Sequence, residues 1–363
     1  MKKALIVLLL LALVAGGLFA QFSIGGYVRT GLMVGIEDDT TLHIYNPDPA
    51  NRVRVNLEPT FTNADGTAGA KVRFRFNAAV DNTSAASFEW GWAWFEPIDN
   101  VLRVSAGFTD DYFTGTGGAF DETYNVGAGR GLFLRLDPLA GLVVGASVQP
   151  ALNAGGVEFG DARYAFGLKY TASGLLAAAA NLRYTGGETS ATNASLGVDF
   201  LGLSGLGFSK LAVDAVITDL GDNFETAGTV GVGPRVDFRF GDFSGRARAR
   251  VWVPGVGKVE DLDLGAELYG QYPLSSTITF KTGVGYALKG ALADTNGSQF
   301  GYREWDDLDR NPTAEDGSVL VVRPYLTFNI GGGAIDAGYS LLTNVGGDSK
   351  TKHAIFATFN VGW

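Results

Sequence analysis

The chain has no cysteine and only two histidines, His43 and His353. Without thiols there are no disulfides, no thiolate zinc sites, no thiol catalysis and no lipid anchor on an N-terminal cysteine. Neither histidine lies beside a convincing nucleophile or carboxylate pair, and both read as solvated residues at strand or loop ends. No catalytic residue, metal site or cofactor is therefore assigned. Beyond residue 20 no run approaches the ~18 uncharged apolar residues of a helical span, which excludes a helical inner-membrane protein. A basic surplus is missing as well. The net charge is −10, and it falls to −12 once Lys2 and Lys3 are removed with the segment described next. A nucleic-acid partner needs the opposite balance.

Residues 1–20 carry Lys2 and Lys3, an apolar stretch from Ala4 to Ala15, and a small residue, Ala20, before a cleavage point. That is the layout of a secretory signal peptide, and the apolar stretch is short of the ~20 residues of an anchor. Residues 21–363 then read as one domain. They are rich in glycine, with 52 in the whole chain, and in short segments of strict alternation. Val53, Val55 and Leu57 oppose Arg52, Arg54 and Asn56. Val72, Phe74 and Phe76 oppose Lys71, Arg73 and Arg75. Tyr164, Phe166 and Leu168 oppose Arg163 and Lys169. Ala247, Ala249 and Val251 oppose Arg246, Arg248 and Arg250. Period two is the signature of a strand with one apolar and one polar face.

The last stretch is the sharpest. In His353–Trp363, Ile355, Ala357, Phe359, Val361 and Trp363 share one face, and the chain stops on the aromatic residue. This resembles the C-terminal signature of bacterial outer-membrane β-barrels of the porin type. The resemblance implies an all-β, transmembrane, antiparallel up-and-down barrel, integral to the outer membrane and in contact with its lipid. Phe359, Val361 and Trp363 would form the signal read by the barrel-assembly machinery. A homotrimer is the habit of that family rather than something read from these residues.

Eighteen strands can be counted, or sixteen if the weakest segments, 100–108, 130–137 and 140–149, are miscounted. Short connections such as Asn63–Thr67, Ser173–Gly174 and Gly331–Gly333 alternate with long ones at Glu37–Ala50, Thr109–Gly129, Pro150–Gly160 and Lys289–Ser318. That is the pattern of periplasmic turns and outer loops. No plug segment is expected before the first strand, since Phe22–Ile36 already alternates.

The function implied is passive diffusion of small hydrophilic solutes through a water-filled channel, without bond chemistry. The alternative is a structural or adhesive surface barrel that binds through acidic loops, of which Asp306–Asp316 is the richest. The loop 109–129 follows the fifth strand, as the lumen-folding loop does in general diffusion porins. It carries Asp110, Asp111, Asp121 and Glu122. Arg54, Arg73 and Arg75 on one part of the wall, and Arg235, Arg248 and Arg250 on another, are the candidate pore-lining bases facing those acids. Local pairing, Arg248 or Arg250 with Glu267 or Asp263 and Arg54 with Glu58, is the competing reading. Phe88, Trp90, Trp92 and Trp94 share a face of the fourth strand. They are expected to meet lipid or a second subunit, because Gly91 and Ala93 on the other face leave room for a folded-in loop. A lumen-lining aromatic track, as in sugar-specific porins, stays open.

Overall fold

The computed structural model describes residues 21–36, 40–45, 52–79, 85–116, 125–153, 156–187, 190–221, 224, 228–254, 262–288, 318–345 and 351–363. The strands are β1 (Gln21–Ile36), β2 (Thr40–Tyr45), β3 (Arg52–Thr62), β4 (Ala68–Ala79), β5 (Ala85–Ile98) and β6 (Leu102–Asp110). Then come β7 (Ala128–Leu139), β8 (Leu142–Asn153), β9 (Gly156–Ala172), β10 (Leu176–Thr185), β11 (Ala191–Phe200) and β12 (Phe208–Ile217). The chain ends with β13 (Thr229–Phe240), β14 (Phe243–Pro254), β15 (Asp263–Pro273), β16 (Ile278–Leu288), β17 (Ser318–Ile330), β18 (Gly333–Val345) and β19 (Thr351–Gly362). The segment read as a signal peptide lies outside the described residues.

Each strand pairs antiparallel with its neighbours, and β1 pairs with β19, so the sheet closes on itself. Two segments share one place in the wall. β2 covers Gly31–Ile36 of β1, and β3 covers Gln21–Arg29 of the same strand. Nineteen segments therefore make a wall of eighteen positions. The three weakest segments of the sequence reading form β6, β7 and β8 and take their places in the ladder, which rules out the sixteen-strand count.

Two connections differ from the expectation. Glu37–Ala50 is not one long loop, because Thr40–Tyr45 extends the ladder beside β1. Pro150–Gly160 is a hairpin arm: β8 and β9 stay paired out to Asn153 and Gly156. In both places strand pairing satisfies backbone groups that a loop would leave to water. The connection 289–317, with its acidic residues, lies outside the described residues.

Side-chain alternation now has a physical meaning. Tyr164, Phe166, Leu168 and Tyr170 of β9 point outward and are well exposed, as are Leu268 of β15 and Ile355, Phe359 and Val361 of β19. Between them, Arg54, Asn56, Arg248, Arg250 and Arg323 are almost wholly buried on the inner face. A soluble barrel would place these sets the other way round, since exposed contiguous apolar area is costly in water.

One end of the barrel carries tight turns. At Asn63–Thr67 the Asn63 side chain accepts from the Ala68 N–H (2.9 Å), and the Asp65 carboxylate accepts from the N–H and hydroxyl of Thr67 (3.0 and 2.6 Å). Gly66 holds φ +77°, which only glycine adopts without strain. At the closing seam, Gly26 and Trp363 exchange backbone hydrogen bonds of 3.1 Å in both directions. The Trp363 indole crosses Gly26 so closely that a Cβ there would sit 2.8 Å from the ring.

Candidate functional site

The inner face falls into sectors of different chemistry. In β1, β3, β4 and β5 it is cationic. Arg29 lies directly opposite Arg54, and Asn56 opposite Arg75. Arg73 donates to Glu58 at 2.7 Å through Nε and lies 3.8 Å from Glu89, while Arg75 contacts Glu89. Lys71 is 3.5 Å from Glu58. Among the described side chains, Arg29, Arg54, Lys71, Arg73 and Arg75 thus share one stretch of the inner face with Glu58 and Glu89.

Beside this cluster the aromatics of β5 are not where the alternation of the sequence put them. The register of β4 against β5 shifts between Arg73 and Phe74, with Phe74 opposite Phe88 and Arg73 opposite Trp90. Glu89 is the extra residue of a β-bulge. A bulge puts two consecutive residues where one belongs and breaks the alternation. Phe88 therefore faces out, 60% exposed, while Glu89 and Trp90 both face in. From there Trp92 lies opposite Lys71 and Trp94 opposite Gly69, both on the inner face, and Phe95 turns outward. The expectation of lipid or subunit contact holds for Phe88 and fails for the three tryptophans. Arg73 stacks over Trp90 at 4.4 Å.

The wall of β8 to β12 is built differently. One stretch of its inner face is small and neutral, with Gly145 opposite Gly167, Gly167 opposite Asn181, Asn181 opposite Ser195, and Ala165, Ala179 and Gly197 beside them, while Lys169, Arg183, Asp199, Lys210 and Asp214 flank it. The segment after β6 lies on this surface. Phe113 packs with Val126 and Ala165. The Thr114 hydroxyl donates to Asn181 Oδ1 (2.6 Å), and Lys210 Nζ donates to the Thr116 carbonyl (2.7 Å) and to Asp199 (2.9 Å). A Cβ on Gly145, Gly167 or Gly197 would come within 2.4–2.8 Å of Phe113, Thr114 or Thr116, so close that the loop must move. The two arms of the loop also hold each other. Phe113 N–H donates to the Val126 carbonyl (3.2 Å) and Val126 N–H to the Thr114 hydroxyl (2.7 Å). Gly127, at φ +122°, could carry no side chain, since its Cβ would overlap the Asp111 carbonyl. The described arms of 109–129, residues 111–116 and 125–127, therefore lie inside the barrel.

A third sector, β13 to β17, is charged but paired. Asp237 is shared by Arg235 (2.7 Å) and Arg246 (2.9 Å), and Arg248 contacts Glu267 on the neighbouring strand. Arg250 is buried on the same face.

The structure thus brings Arg54, Arg73 and Arg75 together, and Arg235, Arg248 and Arg250 together, as the sequence suggested. Of the four loop acids only the Asp111 side chain is described, and it meets neither cluster. Asp111 is 3.7 Å from Arg103, at the foot of its own loop. Asp110 ends β6, and Asp121 and Glu122 lie outside the described residues. Local pairing is right for Arg248 with Glu267. Beside Arg54, Glu58 is held by Arg73 and Lys71, and Arg54 itself lies opposite Arg29. The sequence reading missed Glu89, Lys210, Asn181 and the glycine seat. The inner-face parity of Gly145, Gly167 and Gly197 was the available signal. Phe359, Val361 and Trp363 share the outer face of β19, about half exposed.

No family model matches the sequence, and no curated protein does. The chain is similar in structure to three solved proteins of Pseudomonas aeruginosa. With OpdO it shares 12% identity and a TM-score of 0.60 over 95% of this chain and 99% of that one. With OccK2 (OpdF) the values are 9%, 0.61, 95% and 99%. With the outer membrane protein OprD they are 10%, 0.58, 95% and 95%. At such identities the likeness concerns the fold.

Proposed function

We propose that the protein is an outer-membrane porin, a passive channel for small hydrophilic solutes. The observation that carries this reading is the inversion of the wall: apolar side chains outside, arginines, lysines and carboxylates inside, around a closed sheet of eighteen positions. Barrels of that size enclose an aqueous passage, and an apolar outer band matches lipid. The inward loop supports it further, since a segment seated on the inner wall narrows the passage at that level. The cationic cluster of Arg29, Arg54, Lys71, Arg73 and Arg75 around Glu58 and Glu89 would draw anionic solutes. The structural neighbour OccK2 (OpdF) has been solved in complex with glucuronate, a small polar acid, which agrees with that bias.

The test is reconstitution of the purified, folded protein into a planar lipid bilayer. Discrete, persistent conductance steps are expected. A folded barrel that inserts and passes no current would overturn the channel reading.

Phe359, Val361 and Trp363 are assigned to assembly in the same reading. Deleting Trp363 also removes the paired bonds to Gly26 at the seam. The truncated chain should accumulate outside the membrane or be degraded. Normal levels of a heat-modifiable barrel would remove the residue from that role.

A further inference from the structure

The closing seam carries a recess that neither the ion pairs nor the loop fills. On the inner face of β17, β18, β19 and β1, Asn329 lies opposite Ala334, Ala334 opposite Asn360, and Asn360 opposite Arg29. These four residues form one row across the wall. In the row beside it Gly362 lies opposite Tyr27. Ala334 and Gly362 leave the space of two side chains open, and the tight turn at Gly331 and Gly332 borders it. The result is a recess of about 660 Å³ at the end of the barrel that carries the tight turns. Arg29 enters it in a fixed pose. Its guanidinium stacks over the Tyr27 ring at 4.3 Å, and the Tyr27 hydroxyl accepts from Asn56 Nδ2 at 2.8 Å. The Arg29 Nε is buried without an acceptor, and among the described residues no carboxylate lies within ion-pair distance of Arg29. Asn329 and Asn360 are exposed, and neither carboxamide has a hydrogen-bond partner among the described residues.

A guanidinium fork takes a carboxylate through two parallel hydrogen bonds. A carboxamide both donates and accepts, so it matches an amide or a hydroxyl. Adjacent strands are about 4.8 Å apart, which puts Asn360 about 5 Å and Asn329 about 14 Å from Arg29 across the wall. We infer that the recess is a second solute site, for small monocarboxylates with a neutral polar body. The carboxylate sits on Arg29 and an amide or hydroxyl on Asn360, and Asn329 meets the far end of longer solutes. No carboxylate lines the recess, so an ammonium group finds no partner there, and a second carboxylate finds no second cation. An apolar tail would leave both carboxamides without partners. The row continues from Arg29 to Arg54, so the recess adjoins the cluster that draws the anion and adds a selection that charge alone does not make.

The inference rests on the channel reading, and the experiment separates the two. Wild-type protein in a planar bilayer is given N-acetylglycine, gluconate and hexanoate in turn at equal concentration. Hexanoate matches the first in size and lacks a polar body. N-acetylglycine and gluconate should produce resolved current blockades and hexanoate should not. Asn360→Ala leaves the charge of the wall as it is, and should shorten the blockades by about fivefold to tenfold, a loss that a general attraction of anions does not produce. Arg29→Gln should shorten them by about tenfold or more. If Asn360→Ala fails to fold, Asn360→Leu, which keeps the side-chain volume, carries the same measurement. Blockade by only one of the two polar probes would support the site and name the group its carboxamides take. Unchanged blockades in the Asn360 variant, or hexanoate blocking as long as the polar probes, would overturn the site and leave the porin reading intact. Conductance steps that none of the three solutes blocks would overturn it as well. Absence of any conductance would overturn both.

Discussion

The inner walls of β3–β5 and β8–β12 belong to one closed sheet with one pleat, yet they do opposite things with it. In β3–β5 the inward positions carry long cations and indoles, whose size fills space and whose charge faces the passage. In β8–β12 a stretch of the inward positions carries Gly, Ala, Ser and Asn, flanked by charged residues such as Lys210 and Asp199, and the space it leaves is filled by the chain itself. The loop's place is thus set by the wall as much as by the loop. A segment such as Thr114–Thr116 can lie flat only where inner side chains are absent. On the cationic side it would have to displace Arg73 or Trp90 from the contacts that hold them.

The sharpest way to break this contrast is to give the seat side chains. Gly167→Leu combined with Gly197→Leu places carbon where Thr114 and Thr116 now sit. The loop should leave the wall, and single-channel conductance should rise by about twofold or more as the passage widens. Outer-face positions are untouched, so the barrel should still insert. An unchanged conductance in a folded double variant would mean that the seated arms do not limit the current.

A second test acts on the other wall. Replacing Arg73 and Arg75 together by Gln removes two cations of the cluster and leaves Glu58 and Glu89 with fewer partners. The reversal potential in a salt gradient should move toward cations. The same pair of measurements on Arg235→Gln should move it less, because Asp237 remains bound to Arg246 there. Equal shifts would show that the β3–β5 cluster has no special weight in selectivity.

These two sectors were legible in the sequence to different depths. The facing of Arg54, Arg73 and Arg75 followed from alternation alone, because one charged face and one apolar face leave no choice when lipid lies outside. The tryptophans did not follow, because a bulge resets parity without marking the sequence. A clue existed. Glu89 and Glu96 lie in the same strand at opposite parity, and both now bind inward-facing arginines, Glu89 with Arg75 and Glu96 with Arg103. Two carboxylates of opposite parity cannot both avoid lipid unless a bulge lies between them. The seat was written in glycine and alanine, which carry no charge or bulk to signal a face. The pairing of Asp111 with Arg103, rather than with the far wall, depends on where the loop enters, and sequence spacing does not determine that.

A weaker perturbation of the seated side is Lys210→Met. It removes the donor to the Thr116 carbonyl and the partner of Asp199 while keeping much of the side-chain bulk. Losing a charged hydrogen bond of this kind costs about 1–3 kcal/mol. That is too little to unseat a loop still held by Thr114, Asn181 and the Phe113–Val126 contact. The expected signature is added current noise at nearly unchanged mean conductance. A quiet channel would place the hold on the loop at Asn181 and the Phe113–Val126 contact.

The smallest effect separates the turns beneath the two walls. Under the cationic wall, β3 and β4 are joined through Asp65, whose carboxylate accepts from the Thr67 N–H and hydroxyl, and these bonds hold its pKa below the ordinary carboxylate value. Under the seat, β9 and β10 are joined through Ser173–Leu175, where Gly174 sits at φ +69° and Leu175 N–H donates to the Ala172 carbonyl at 3.0 Å, with no ionisable side chain in the turn. The sign follows from linkage. A carboxyl whose folded pKa is depressed adds stability that is fully present above its unfolded value and is lost as pH falls through the folded one. Acidification below the ordinary aspartate range should therefore loosen the amides of Asn63–Thr67 and leave those of Ser173–Leu175 as they were. Hydrogen exchange in detergent micelles, normalised to the intrinsic rate at each pH, reads this directly. Asp65→Asn keeps an acceptor oxygen for Thr67 but cannot titrate, so its turn should lose the pH dependence while remaining folded. The effect is confined to one exposed turn and should not move the conductance. Equal acid sensitivity of the two turns, or an Asp65→Asn variant as acid-sensitive as wild type, would show that the Asp65 carboxylate is not what distinguishes them.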